Sequence, residues 1–129
     1  KYPEFEFSCE NLYYFDAYYV KSLDIYLGFA PHFKNEIQTA DGSKRRYYDA
    51  KTLVMMSKDK INWKVVDTFF EDENATGHMT QKHVVTFLQK NDLFYVCVNE
   101  NFITKNGRLC LYQLEKKYLE GLKYSFLKK

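Results

Sequence analysis

Glycine and proline are scarce in this chain, with 5 and 2 among 129 residues, and tryptophan occurs once. The glycines are scattered, so no Gly-rich phosphate loop exists and nucleotide chemistry is not indicated. No stretch reaches the roughly 18 apolar residues of a membrane-spanning helix. One-sided charge is missing too, with 19 basic residues against 17 acidic ones for a net charge of +2. A nucleic-acid footprint needs clustered lysine and arginine, and the short run Lys44-Arg45-Arg46 reads as a solvated loop. The serines Ser8, Ser22, Ser43, Ser57 and Ser125 lack the context of a nucleophile elbow. The chain begins at Lys1 without a signal-like apolar segment, which reads as a mature or trimmed form and leaves the compartment unmarked.

Cysteine is also sparse. Cys9, Cys97 and Cys110 are odd in number and lack metal-ligand spacing. If residues 93–98 and 108–112 pair as a hairpin centred near Ile103-Thr104, Cys97 falls opposite Cys110. Opposed residues lie about 4.5–5.5 Å apart, within disulfide reach. The alternative is two free, buried thiols acting as small hydrophobes. Asn74-Ala75-Thr76 is a glycosylation sequon, compatible with secretion without requiring it.

What the chain has is aromatics: 12 Tyr and 11 Phe, residues that favour strands. Residues 12–20 read as a strand interrupted by Asp16, and Lys21-Ser22 as a turn. In residues 23–29, Leu23, Ile25, Leu27 and Phe29 share one face while Asp24, Tyr26 and Gly28 share the other. Pro31 is expected to close that strand, and residues 34–46 to form a long polar loop. Strands over 47–56 and 63–69 follow, then an acidic connection over 71–77. A second set covers 82–88, 93–98 and 109–114, with turns at Asn91-Asp92 and Asn106-Gly107. In the tail, a short amphipathic helix competes with a final strand over 122–127, and the strand is the expectation. Two units result, 12–70 and 82–127, a weak internal repeat in the size range of propeller blades. At 129 residues the chain is a single domain or a fragment of one.

The stretch Ser57-Lys58-Asp59-Lys60-Ile61-Asn62-Trp63, set between Leu53-Val54-Met55-Met56 and Val65-Val66, is the most specific pattern. It resembles the strand–turn–strand of glycosidase-type β-propellers, the five-bladed glycoside hydrolases and their sialidase-like relatives. Those read as an apolar strand followed by Ser-x-Asp-Gly-x-x-Trp. Ser57, Asp59 and Trp63 match as a structural turn motif, and Lys60 stands where the family has Gly. A left-handed residue there disfavours Lys by roughly 1 kcal/mol, so either the turn differs or its surroundings absorb the strain. The resemblance implies an all-β fold of antiparallel four-stranded, blade-like units. A complete five-bladed propeller needs roughly 250 residues. Two blades would leave open edges and aromatic faces, so the chain is expected to be a piece of a propeller or to pair with another chain. The alternative is an independent β-sandwich or barrel.

Asp16 interrupts an aromatic strand and has Tyr14 and Tyr18 on its own face. Rings that stack on sugar faces beside an acid suit a glycan site. Asp24, on the neighbouring strand, is the second candidate catalytic carboxylate. His78 and His83 are further candidates for glycan binding; their spacing of five does not place both on one strand face, and no metal set is expected. Glu100 could act as an acid. The implied function is glycan binding or part of a glycoside hydrolase, with catalysis by this chain alone doubtful and no cofactor expected. The alternative is a non-catalytic protein-interaction module presenting an aromatic β surface. The expected partners are a glycan and a partner chain or missing blades, without nucleic acid.

Overall fold

The computed structural model describes residues 10–12, 15–35, 47–72, 82–100 and 107–128. Eight strands and one helix lie in these segments: β1 Glu10–Leu12, β2 Asp16–Val20, β3 Ile25–Asn35, β4 Tyr47–Ser57, β5 Lys64–Asp72, β6 Lys82–Lys90, β7 Leu93–Glu100, β8 Arg108–Leu114 and α1 Lys116–Lys128. All strand pairs are antiparallel. The first sheet runs β3–β4–β5, with β1 and β2 sharing the far side of β3, so it is four strands wide; the second runs β6–β7–β8. The chain is therefore all-β in its sheets, and the two sheets do not close into a barrel.

Of the expected strand over 12–20, the described residues form the end of β1 and the whole of β2, which pair with β3 on either side of Ala30-Pro31. Pairing of β2 with β3 ends at Phe29, and pairing of β1 begins at His32. Ala30 and Pro31 fall in the gap while still pairing with Leu53 and Thr52 of β4. Proline has no N–H to give a ladder, so it sits where β3 has no neighbour on that side among the described residues. It does not close the strand as expected; β3 continues to Asn35.

The alternation read in residues 23–29 is realised. Ile25, Leu27 and Phe29 are buried against Val84, Phe87, Phe94, Val96 and Val98 of the second sheet. Phe87 lies centrally, with ring centroids 5.7 Å from Tyr18, 6.2 Å from Phe29 and 6.0 Å from Phe94. Polar contacts cross around this apolar layer. Gln89 Nε2 donates to the Tyr19 carbonyl at 2.8 Å, Thr52 Oγ1 to the Lys82 carbonyl at 3.3 Å, and the Tyr118 hydroxyl to Asp67. The opposite face of the first sheet carries a smaller cluster of Ala30, Leu53, Met55 and Trp63. Gly28 leaves room there for the Phe15 ring: a Cβ would meet that ring at 2.5 Å and displace it from its edge-on contact with Trp63 at 4.6 Å.

Two expectations are corrected. The tail is a helix, not a strand over 122–127. A strand would set Leu122, Tyr124 and Phe126 on one face, but Tyr124 is 62% exposed while Leu119, Leu122 and Phe126 are buried at helical spacing. The second unit is thus three strands and a helix, not four strands. The cysteines also do not face each other. Cys97 pairs with Leu111 and Cys110 with Val98, so a one-residue difference in register puts the thiols on opposite faces, and both are free.

Helix α1 contains Gly121, which is exposed, with nothing within 4 Å of where a Cβ would stand. Glycine inside a helix costs about 0.8–1 kcal/mol relative to alanine. Gly121→Ala should raise unfolding stability by about that amount in urea titrations. A loss of stability would mean that the alanine methyl disturbs the helix's seat.

Candidate functional site

The turn between β4 and β5 is organised by two short polar side chains. Ser57 Oγ accepts from the N–H groups of Asp59 (3.2 Å) and Lys60 (3.0 Å) and donates to Asp59 Oδ1 at 3.0 Å. Asp59 Oδ1 accepts from the N–H groups of Ile61 (2.8 Å) and Asn62 (2.7 Å), and Oδ2 from Asn62 Nδ2 at 2.8 Å. The Asn62 N–H, then its side chain and the Ile61 N–H, hold the Asp59 carboxyl well below the usual carboxylate range. Trp63 Nε1 donates to the Lys60 carbonyl at 2.9 Å, which closes the loop onto its aromatic anchor. Lys60 adopts the left-handed conformation, φ 66°. The hydrogen bonds around it hold Lys60 in this conformation.

This turn borders an exposed aromatic corner. Tyr26 pairs with Tyr19 on one side and Ser57 on the other, so the Tyr19 and Tyr26 rings share the outer face, 5.2 Å apart. Lys60 Nζ stands 4.9 Å from the Tyr26 ring centroid. Asp24 has a left-handed backbone (φ 49°) at the end of the 3-10 turn Lys21–Leu23, and its Oδ1 accepts from the Tyr19 hydroxyl at 2.7 Å. That bond is the main reason the Tyr19 hydroxyl is harder to ionise than a free phenol. Two rings, a carboxylate and an ammonium are thus held at one end of the β2–β3 hairpin. Tyr19, Asp24 and Lys60 are exposed.

A second polar cluster lies at the far end of the second sheet. Glu100 is 3% exposed and pairs across the sheet with Lys82 and Arg108. Arg108 donates to Glu100 Oε1 from Nε at 3.1 Å and from Nη2 at 3.0 Å, the Tyr112 hydroxyl donates to Oε2, and Lys82 Nζ is 3.7 Å away. The Tyr112 hydroxyl, then Arg108, Cys110 and Lys82, outweigh burial and hold Glu100 at about 2. The same bond pushes Tyr112 up to about 12. The β4–β5 register shifts beside it, and Phe70 takes φ 56°, which sets its ring 5.2 Å from Tyr112 and 5.1 Å from Lys82 Nζ. Glu100 is therefore an ionised acceptor near neutral pH. It has no proton to give as the acid suggested by its sequence position.

The two candidate carboxylates are not brought together. Asp16 begins β2 opposite Phe29, whereas Asp24 lies beyond the Val20–Ile25 pair at the other end. They also lie on opposite faces: Asp16 shares the face of Tyr18, whereas Asp24 accepts from Tyr19, whose side chain stands on the other face. Tyr18 shares the face of Asp16, but that face turns toward the second sheet. Its ring packs 6.4 Å from Phe29, its hydroxyl reaches the Val85 carbonyl at 3.4 Å, and burial raises its pKa. His83 lies in β6 opposite Asn99. Tyr14, His78, Cys9 and the Asn74 sequon lie outside the described residues. No group of three or more metal-ligating side chains occurs among the described residues. Tyr19 and Lys60 were missed by sequence reasoning, although the alternation already set Tyr26 beside Asp24.

Replacing Lys60 with glycine removes a strain of about 1 kcal/mol and an exposed cation–π contact of about 0.5 kcal/mol. Lys60→Gly should therefore stabilise the fold by roughly half a kcal/mol in denaturant titrations. A lower midpoint would show that the ammonium on Tyr26 outweighs the strain. Glu100 is depressed from 4.5 to about 2, so its contribution is complete above about 4.5 and is lost as pH falls through about 2. Unfolding midpoints measured across that window should fall, and Glu100→Gln should flatten the fall, leaving the part due to Asp59. An equally steep acid limb in the variant would remove Glu100 as its source. The chain matches no protein-family model, no curated protein and no solved structure.

Proposed function

We propose that this chain is a glycan-recognising β-sheet segment of the glycosidase-propeller type, binding sugar at the corner of Tyr19, Asp24, Tyr26 and Lys60. The observation that carries the reading is the pair of exposed Tyr19 and half-buried Tyr26, with a hydrogen-bonded carboxylate and an ammonium beside it. A tyrosine ring offers an apolar face to sugar C–H groups together with a polar tip. A carboxylate accepts from two hydroxyls, and an ammonium donates to ring or hydroxyl oxygens. Support for the propeller type comes from the Ser57–Asp59–Trp63 turn, whose left-handed residue falls at the family's glycine. The first sheet, four antiparallel strands wide, has the layout of a blade. The role is recognition without hydrolysis by this chain alone, because Asp16 and Asp24 lie at opposite ends and on opposite faces of the β2–β3 hairpin and do not share one cleft.

A microarray of neutral and acidic oligosaccharides, followed by calorimetric titration of the strongest ligand, tests the reading. Tyr19→Ala and Tyr26→Ala should each weaken binding about tenfold or more, as expected for losing a ring that carries the contact. Tyr124→Ala, on the exposed side of α1, should leave it unchanged. Folded protein that retains no oligosaccharide, or binding indifferent to both corner tyrosines, sinks the proposal.

A further inference from the structure

Helix α1 collects three turns at one end of the sheets. Leu119, Leu122 and Phe126 seat it in the core cluster that includes Val20 and Leu23. Its Lys123 ammonium donates to the Leu23 carbonyl, in the 3-10 turn Lys21–Leu23. Lys64 Nζ, just after the β4–β5 turn, stands 5.3 Å from the Phe126 ring centroid. Lys116 Nζ lies 3.0 Å from Asp92 in the β6–β7 turn. Residues 21–24, 58–64, 90–92 and 115–128 hold nine lysines and five acids, a net +4 in a chain whose whole charge is +2. Three of the acids are engaged: Asp59 by its own turn, Asp24 by the Tyr19 hydroxyl and Asp92 by Lys116. The same segments carry large apolar side chains that the core leaves out. Ile61 is 78%, Tyr124 62% and Leu127 48% exposed, and Lys128 Nζ stands 4.7 Å from the Tyr124 ring centroid. All three turns and the helix lie among the described residues.

We infer that this lysine-rich end docks on an anionic lipid surface, with Ile61, Tyr124 and Leu127 entering the boundary between headgroups and acyl chains. Basic residues beside exposed apolar ones are the composition that seats a protein in that boundary: the apolar groups leave water and the cations meet anionic headgroups. Lys21, Lys58, Lys60, Lys64 and Lys128 are exposed. A lysine stem lies along apolar surface while its ammonium stays at the polar level, so the lysines reach headgroups once the apolar tips are seated. The Ile61 backbone is already fixed, its N–H donating to Asp59 Oδ1 at 2.8 Å, and a preorganised tip loses little freedom on insertion. A soluble polyanion would pair with the lysines and leave Ile61 and Leu127 in water, so the apolar tips favour the bilayer. This docking goes beyond the glycan reading: Ile61, Tyr124 and Leu127 lie outside the Tyr19 corner, and Lys60 alone among the docking groups belongs to both.

The test is co-sedimentation of the whole chain with vesicles of phosphatidylcholine alone and of phosphatidylcholine with about one third phosphatidylserine. The chain should bind the second and not the first, and added salt should weaken binding. A basic residue at such a surface strengthens binding about fivefold, so Lys58→Glu combined with Lys128→Glu should weaken it about 25-fold or more. Ile61→Ser and Leu127→Ser should each weaken it about fivefold or more by removing apolar surface from the boundary. These side chains are exposed and belong to two separate elements, so no one misfolded variant decides the result. Leu111→Ser, exposed on the second sheet, should leave binding unchanged. A chain that stays in the supernatant with phosphatidylserine vesicles overturns the proposal, and so does equal binding to phosphatidylcholine alone. Binding lost with Leu111→Ser but kept with Ile61→Ser and Leu127→Ser overturns it as well, because the sheet face then makes the contact. Binding indifferent to both apolar changes and abolished by heparin marks a site for soluble polyanions and overturns the bilayer.

Discussion

Phe87 meets Tyr18 and Phe29 across the space between the sheets and Phe94 on its own sheet, and the other contacts are arranged around this aromatic layer. A chain with few glycines and prolines but abundant Tyr and Phe reaches stability by facing two antiparallel surfaces at one another. Burying a ring of this size is worth about 1.5–3 kcal/mol. The layer excludes water, so the polar groups crossing it must find partners. Tyr118 with Asp67, Gln89 with the Tyr19 carbonyl and Thr52 with the Lys82 carbonyl do so around its rim. Helix α1 closes one side, tied by the Lys123 ammonium to the Leu23 carbonyl.

Of the four left-handed non-glycine residues, Asp24 and Asn91 are of the types that tolerate the conformation, and the two that do not, Lys60 and Phe70, each adjoin a polar cluster. Lys60 sits left-handed in the Asp59 turn beside the Tyr19–Tyr26 corner. Phe70 sits left-handed at the shifted register of β5, beside Glu100, Arg108 and Tyr112. Such conformations cost about 1–3 kcal/mol and persist only where surrounding contacts fix them. At Lys60 the fixing contacts are the bond its N–H donates to Ser57 Oγ and the bond its carbonyl accepts from Trp63 Nε1. At Phe70 they are the Tyr112 ring and the Lys82 ammonium. The clusters differ in exposure: the corner offers its carboxylate to solvent, whereas Glu100 has its carboxylate occupied by its own neighbours.

Much of the first sheet was legible because its signals are local. The period-two pattern of residues 23–29 chose the buried face, and the Ser57–Trp63 spacing located the turn. Asn91-Asp92 marked a hairpin, with Asn91 taking the left-handed conformation it tolerates. What failed depended on distant partners. The one-residue offset between Cys97 and Cys110 follows from how β7 and β8 align, which the sequence between them does not dictate. Tyr18 was readable as facing Asp16's side of the strand, but not as covered by Phe87. The tail misled through its aromatics: Tyr124 and Phe126 suggest a strand until Leu119 reveals the helical spacing. Lys82, Glu100 and Arg108 come from three strand ends, and only the finished register brings their charges together.

Pro31 has an effect beyond its own strand. Among the described residues β3 has no neighbour at that point, and the strip along the sheet's margin consists of pieces of three and five residues on either side of it. A long, flat, unpaired strand is a template on which other chains add themselves into aggregates, and short edge strands are one defence against it. A single imide placed inside the sheet thereby shortens the surface on which a foreign strand could grow, and gives the tyrosine-rich margin a measure of protection that its composition alone would not supply.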